Sequence, residues 1–303
     1  MRTSHAKDRR GAALMLSLWA VLLLSTMIIA WALDINTRLT LAGYANRSLE
    51  AEAMACSGAE IALHPAIKPG SSVLFQRRGR TSFETHITGE GGRLNLNWLV
   101  AGENPQRLEV LRKYLEMRGV ELNDRDRMID CLLDWVDPDN LVRLNGAENE
   151  ADYQPANALL TRVDDLKRVR GWEQFTADPN WDGDFTLNST GPIDVSWASR
   201  EVLLALPGMT EPMVDQFLAI RRGDDGIEGT EDDAEFKSVQ DVQVALGLSA
   251  QQFTQIAPLV GFKDQVFRVV SVGKSADVTR VVRMVIRKTG GTPQLVAGTW
   301  KEL

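Results

Sequence analysis

The chain has 303 residues, 44% hydrophobic and 25% charged, so it has the make-up of a globular protein with a sizeable core and room for about two compact units beyond an anchor. Its formal charge of −7 disfavours nucleic acid as a bulk electrostatic partner and suits hard cations. A basic leader makes the remainder more acidic still.

That leader, residues 1–11, carries Arg2, Lys7, Arg9 and Arg10 against Asp8. From Ala12 to Leu33 no residue is charged. As a helix this run is about 33 Å long, enough for a hydrocarbon core of about 30 Å. Lys and Arg just before such a helix hold that end in the cytoplasm and place the body beyond the inner membrane. The helical pattern continues through residues 34–63, with no proline before Pro65 and a stripe of Ile35, Leu39, Ala42, Leu49, Ala53, Cys56 and Ala59. This predicts one long helix, transmembrane over 12–33 and amphipathic over 34–63. A cleaved secretory signal has a shorter apolar region, whereas an uncleaved signal anchor fits the hydropathy equally well.

His64-Pro65 to Pro69-Gly70 breaks the helix. Ser82–Thr88 alternates apolar and polar residues as a half-buried strand does, and Arg93–Trp98 reads as a second strand after the glycines at 89, 91 and 92. From 104 to 259 the pattern changes to short helices, predicted over 106–118, 124–135, 157–169, 199–206, 211–222, 239–246 and 249–259, with brief extended pieces at Phe185 and Ile193. Gln265–Gly273 and Val278–Lys288 then alternate Val, Ile and Met with Arg and Thr, a β-hairpin. The expected fold class is α+β: a long N-terminal helix packed on a small antiparallel sheet built from 64–103 and 260–303, with an all-helical domain inserted over 104–259.

Acidic loops are the candidates for chemistry. Between Asp134 and Tyr153, Asp137, Asp139, Glu148, Glu150 and Asp152 crowd around Pro138 and Gly146. Such a set can supply the six to eight oxygens that Ca²⁺ takes, although the spacing is not that of an EF-hand, and composition alone reads as a solvated acidic surface. A second loop holds Asp224, Asp225, Glu228, Glu231, Asp232 and Asp233 between flexible glycines, where a cation site and a solvated loop are both open. Asp178, Asp182 and Asp184 are explained by turn formation.

Leu206-Pro-Gly-Met209 joins two predicted helices like a helix-hairpin-helix, but Glu211 stands where phosphate oxygens approach, so a structural hairpin is the better reading. Three histidines and two distant cysteines, Cys56 and Cys131, form no nucleophilic or metal-knuckle signature, and no enzyme activity is expected. The cysteines are left open between a disulfide and two buried thiols.

Two stretches carry a resemblance to a known family. Arg9-Arg10-Gly11-Ala12-Ala13-Leu14-Met15-Leu16 is similar to a type IV prepilin leader, which implies cleavage by prepilin peptidase between Gly11 and Ala12 and methylation of the new N-terminus. Pilin-like chains mostly have Glu five residues after the cut, and this one has Leu16. Its absence resembles the K-type minor pseudopilins of type II secretion, as does the run Leu133-Asp134-Trp135 to Asp139 followed by Gly146-Ala147-Glu148 and Tyr153. The resemblance implies a pilin-like fold at the tip of the pseudopilus, I- and J-type pseudopilins as partners, and a role in export of folded proteins across the outer membrane. It also implies one or two Ca²⁺ ions. Carried over residue by residue, Asp137, Asp139, Glu148 and Asp152 are the best candidates for metal ligands and Asp134 and Glu150 weaker ones; from composition, not from the resemblance, the second loop's Asp224, Asp225, Glu231, Asp232 and Asp233 are weaker candidates too. Two rival readings are an uncleaved signal-anchored periplasmic scaffold and a membrane protein that binds DNA through the 206–209 hairpin.

Overall fold

The computed structural model describes residues 5–230, 232–289 and 291–303, with side chains from Ala12 onward. Helix α1 runs unbroken from His5 to Ala62. It is long and apolar enough to cross a membrane, with a mean hydropathy of 2.3 in its apolar window and none of that window buried. Its polar side chains there are satisfied internally: the hydroxyls of Ser17, Ser25 and Thr26 each donate to a carbonyl three or four residues back. That arrangement suits a helix without water around it.

The lower half of α1 packs through small residues, and of the predicted stripe only Ala59 and Cys56 take part. Ala51, Ala55, Ala59 and Ala62 are fully buried, whereas Ile35, Leu39 and Leu49 are exposed. Close approach explains the difference. A Cβ on Gly58 of α1 would meet the Thr85 and Ser271 hydroxyls at 2.3 and 2.4 Å, and one on Gly273 of the sheet would meet the Ala51 carbonyl oxygen at 2.0 Å. Larger side chains at this seam would hold helix and sheet apart.

The sheet on which α1 lies is antiparallel, in the order β1-β2-β7-β8-β10, with β9 also on β8. Its strands are β1 (Phe75–Arg78), β2 (Thr81–Gly89), β7 (Val266–Ser275), β8 (Val278–Arg287), β9 (Gln294–Leu295) and β10 (Lys301–Glu302). The hairpin β7–β8 pairs Ser275 with Val278 and Val266 with Arg287. Ile87, Val269, Val282, Met284 and Ile286 face α1 and form a core with its alanines. The period-two pattern of β2, β7 and β8 follows from having one face against the helix.

A second, larger core belongs to the body between β2 and β7. Its elements are β3 (Leu94–Asn95), α2 (Leu96–Val100), α3 (Pro105–Met117), α4 (Leu122–Val136), β4 (Phe185–Thr186), β5 (Ile193–Asp194), α5 (Arg200–Ala205), α6 (Glu211–Arg221), α7 (Val239–Ala245), α8 (Ala250–Ile256) and β6 (Val260–Gly261). Side-chain caps start α3, α5, α7 and α8 at Asn104, Ser199, Ser238 and Ser249.

Two expectations are corrected here. Residues 93–98 are not a strand of the main sheet: β3 pairs in parallel with β4, and Leu94, Leu96, Leu99 and Val100 lie in the core of the helical body. The core of that body therefore takes in Leu94 to Val100, ahead of 104, and Val260 and Phe262 pack against it beyond 259. The helix expected over 157–169 is only a 3-10 stretch, Val163–Arg168. The Asp165 carboxylate accepts from the Thr161 and Arg162 amides and the Thr161 hydroxyl, which offers this backbone an alternative to helical bonds.

Glu90 joins the two units. Fully buried, it accepts two 2.8 Å bonds from the Arg268 guanidinium on β7, one from Arg93 and a 2.6 Å bond from the Thr186 hydroxyl on β4. Burial alone pushes its carboxyl up, but Arg268 and then Arg93 outweigh burial, so the net shift is downward. Burial, with the charge of Arg268, pulls the Arg93 guanidinium down to about 10. The chain's return to the sheet is fixed by Asp264, which accepts from the Thr190 amide and hydroxyl and from the Val266 amide.

Candidate metal centre

The first acidic loop leaves the C-terminal end of α4. Asp134 is held on the last turn of that buried helix, Asp137 follows at its end, and Glu148 returns from the far side of the loop. One oxygen of each lies within 4.8 Å of the others. That is the widest separation two oxygens can have at about 2.4 Å from one shared ion. Gly146 lets the loop come this close, since a Cβ there would sit 1.9 Å from the Asp134 Oδ2. Asp130 pins the preceding residue by accepting from both amide groups of Asn145.

The electrostatics are unbalanced. Both Glu148 carboxylate oxygens and the Asp137 Oδ1 are buried without a hydrogen-bond partner. Burial, then the charges of Asp134, Asp137 and Asp139, push the Glu148 carboxyl above its ordinary range. Arg143, from the middle of the loop, partly compensates. Its Nη1 donates to both the Asp134 Oδ1 and the Asp137 Oδ2, and its Nη2 donates to Glu103 at 2.8 Å. Sequence reasoning missed this residue, and its signal was a single arginine between apolar residues inside an acidic loop.

Asp134, the weaker candidate, is thus at the centre of the cluster together with Asp137 and Glu148. Asp139 stands beside them, its Oδ1 closing a turn on the Leu141 amide. Asp152 and Glu150 are turned to Arg170, at 3.5 and 2.8 Å, and the structure does not bring them into the cluster. Orphaned oxygens on hard carboxylate donors fit a calcium ion, which Asp134, Asp137 and Glu148 would hold.

The second loop is differently built. The Asp232 Oδ2 accepts from the Asp224 and Asp225 amides, the Asp225 Oδ1 from Ile227 and the Asp233 Oδ2 from Gly229. Glu228 is taken by Arg221 and Arg222. These carboxylates form turns rather than a shared cage, and Glu231 lies outside the described residues. The 178–184 acids are braces too: Asp178 pairs with Arg118, Asp182 with Arg283, and Asp184 accepts from the Tyr114 hydroxyl. Gly208 turns the 206–209 hairpin with φ of 77°, and Glu211 behind it pairs with Arg200. Cys56 and Cys131 are both free thiols, and burial pushes Cys131 up to about 11.

Residues 92–178, which contain the whole of this site, match the family described as type II secretion system protein K. Type II secretion system protein K of Dickeya chrysanthemi is 31% identical over 71 residues, 23% of this chain. The match spans about a fifth of that relative's length, 20%. Among solved structures, the crystal structure of the GspK-GspI-GspJ complex from the type 2 secretion system of enterotoxigenic Escherichia coli matches with a TM-score of 0.57. Identity there is 14%, and the alignment covers 87% of this chain and 97% of that one. Family segment, curated relative and whole-chain fold point the same way: residues 92–178 are similar to the K proteins of type II secretion, and the chain shares the fold of the matched structure.

Proposed function

We propose that this chain is a membrane-anchored minor pseudopilin that caps the tip of a type II secretion pseudopilus together with I- and J-type pseudopilins. The observation that carries the reading is the division of labour in α1. Its upper half is apolar and uncovered, Leu14, Leu18 and Leu22 among its exposed residues, while its lower half is locked onto a sheet that carries a bulky helical body. Uncovered apolar surface of that extent calls for lipid or neighbouring helices. Leu16, 71% exposed, has no carboxylate with which to pair the charged N-terminus of a subunit further out. The helical body adds bulk beyond the sheet. A subunit of this shape ends a fibre and does not extend one, and its work is assembly rather than catalysis.

In this reading prepilin peptidase cuts between Gly11 and Ala12 on the cytoplasmic side, the new N-terminus is methylated, and the body lies in the periplasm. Asp134, Asp137 and Glu148 would hold calcium at the end of α4, where its charge would neutralise the cluster. The chain's own residues set that site: α4 holds one carboxylate rigidly, Gly146 admits the loop, and the hydrophobic core beneath excludes water from Glu148.

The intact mass of the full chain recovered from its native membrane tests the reading. A chain starting at methylated Ala12 is the expected result, with a Gly11→Val variant keeping its leader. A wild-type chain that retains residues 1–11 refutes it and leaves an uncleaved anchored scaffold.

A further inference from the structure

The loop over the metal centre carries its own cation. Arg143 reaches back so that one guanidinium nitrogen bridges Asp134 and Asp137, and its backbone amide donates to the Asp134 Oδ2 at 3.3 Å. A divalent ion held by the same two carboxylates would contend with this guanidinium for their negative charge. Two cations within one such cluster also repel each other strongly in a buried setting. Glu148, only 7% exposed, brings an oxygen into the cluster, and neither of its oxygens meets Arg143 or any other donor. The arginine therefore partners one oxygen of Asp134 and one of Asp137, and leaves the Asp137 Oδ1 and both Glu148 oxygens for something else.

We propose that Arg143 is an internal competitor for the metal: calcium enters the Asp134–Asp137–Glu148 cluster by exchange with its guanidinium, and the exchange releases the loop tip. The inference rests on the calcium reading above and deepens it. Glu103, on the outer side and 58% exposed in its side chain, is the partner that Arg143 keeps once it swings out. The tip that moves carries Leu141, Val142 and Leu144, which are 76%, 62% and 96% exposed. Ion binding thereby changes the setting of the most exposed apolar side chain among the described residues of this body. Site affinity is set by the difference between two cations held by the same oxygens, and not by the acids alone.

Calorimetric titration of calcium chloride into the full chain in detergent, stripped beforehand with chelator, tests the exchange. Arg143→Gln is expected to bind calcium about tenfold or more tightly than wild type, the scale of one charge-assisted hydrogen bond no longer lost on entry. Arg143→Lys, which keeps the charge but not the fork, is expected to tighten it several-fold. If Arg143→Gln leaves the buried Asp134 charge uncompensated and fails to fold, the lysine variant decides. Affinity equal to or weaker than wild type in the folded variants overturns the exchange while leaving the calcium site in place. No binding heat at millimolar calcium in wild type or any variant removes the calcium site itself, and the exchange with it.

Discussion

Replacing Glu90 by glutamine tests how the helical body is fastened to the sheet. The substitution keeps the shape and removes the charge that faces Arg268 and Arg93. The site is fully buried, and both arginine contacts on the 2.8 Å fork converge on this one carboxylate. Taking one partner out of a buried ion pair leaves the other charge uncompensated and costs about 3–5 kcal/mol. For a protein of this size that corresponds to a fall in Tm of roughly 6–20 °C. The pH dependence gives a second, independent handle. Glu90 has its carboxyl below the ordinary value of 4.5, so its contribution is complete above that value and is lost as pH falls through the lower, folded value. Urea unfolding followed by tryptophan fluorescence should therefore show the full gap between wild type and Glu90→Gln at pH 7. The gap should close progressively below pH 4.5, where wild-type Glu90 also becomes neutral. A gap under about 1 kcal/mol at pH 7, the scale of an exposed pair, would refute the argument, and so would a gap that persists unchanged in acid.

Three further outcomes follow from the packing and the site. Gly273→Ala places a methyl group 2.0 Å from the Ala51 carbonyl oxygen, a backbone atom that cannot turn aside, so thermal melts should show a loss of about 1–3 kcal/mol, and an unchanged melt contradicts the close seam. Gly146→Ala pushes on the Asp134 Oδ2 and should weaken calcium binding about tenfold while far-ultraviolet circular dichroism stays as in wild type. Leu16→Glu restores the carboxylate that the helix lacks; cross-linking should then find a pseudopilin on the outer side of this chain, where wild type shows none.

The parts of the fold that could be read from the residues are those in which one physical pattern dominates. In β7 and β8 the alternation of valine and arginine is imposed by one covered face, and the period is visible without coordinates. The unbroken α1 is equally plain, because nothing between Ala12 and Leu63 breaks it. Its contact face was legible only at Ala59, since the rest of the seam is Ala51, Ala55 and Gly58, residues chosen for what they lack. Residues 93–98 look like a strand because Leu94 and Leu96 alternate with asparagines; Phe185, the pairing partner of Leu94, is ninety-one residues away. At the site, residue type located the acids but not their allegiance. Arg170, eighteen residues from Asp152, draws it and Glu150 off, while Asp134 is brought in by the geometry of a helix end. No spacing rule foretells that Arg143 folds back onto Asp134 and Asp137, for that depends on the turn at Gly146.

The tip position proposed for this chain is tested by where the chain lies in an assembled filament. A gold label on the C-terminal Leu303, viewed by electron microscopy on pseudopili drawn from their native membrane, should mark a single end of each filament. Labels spaced along the shaft, or filaments that carry none while the protein stays in the membrane, would contradict it.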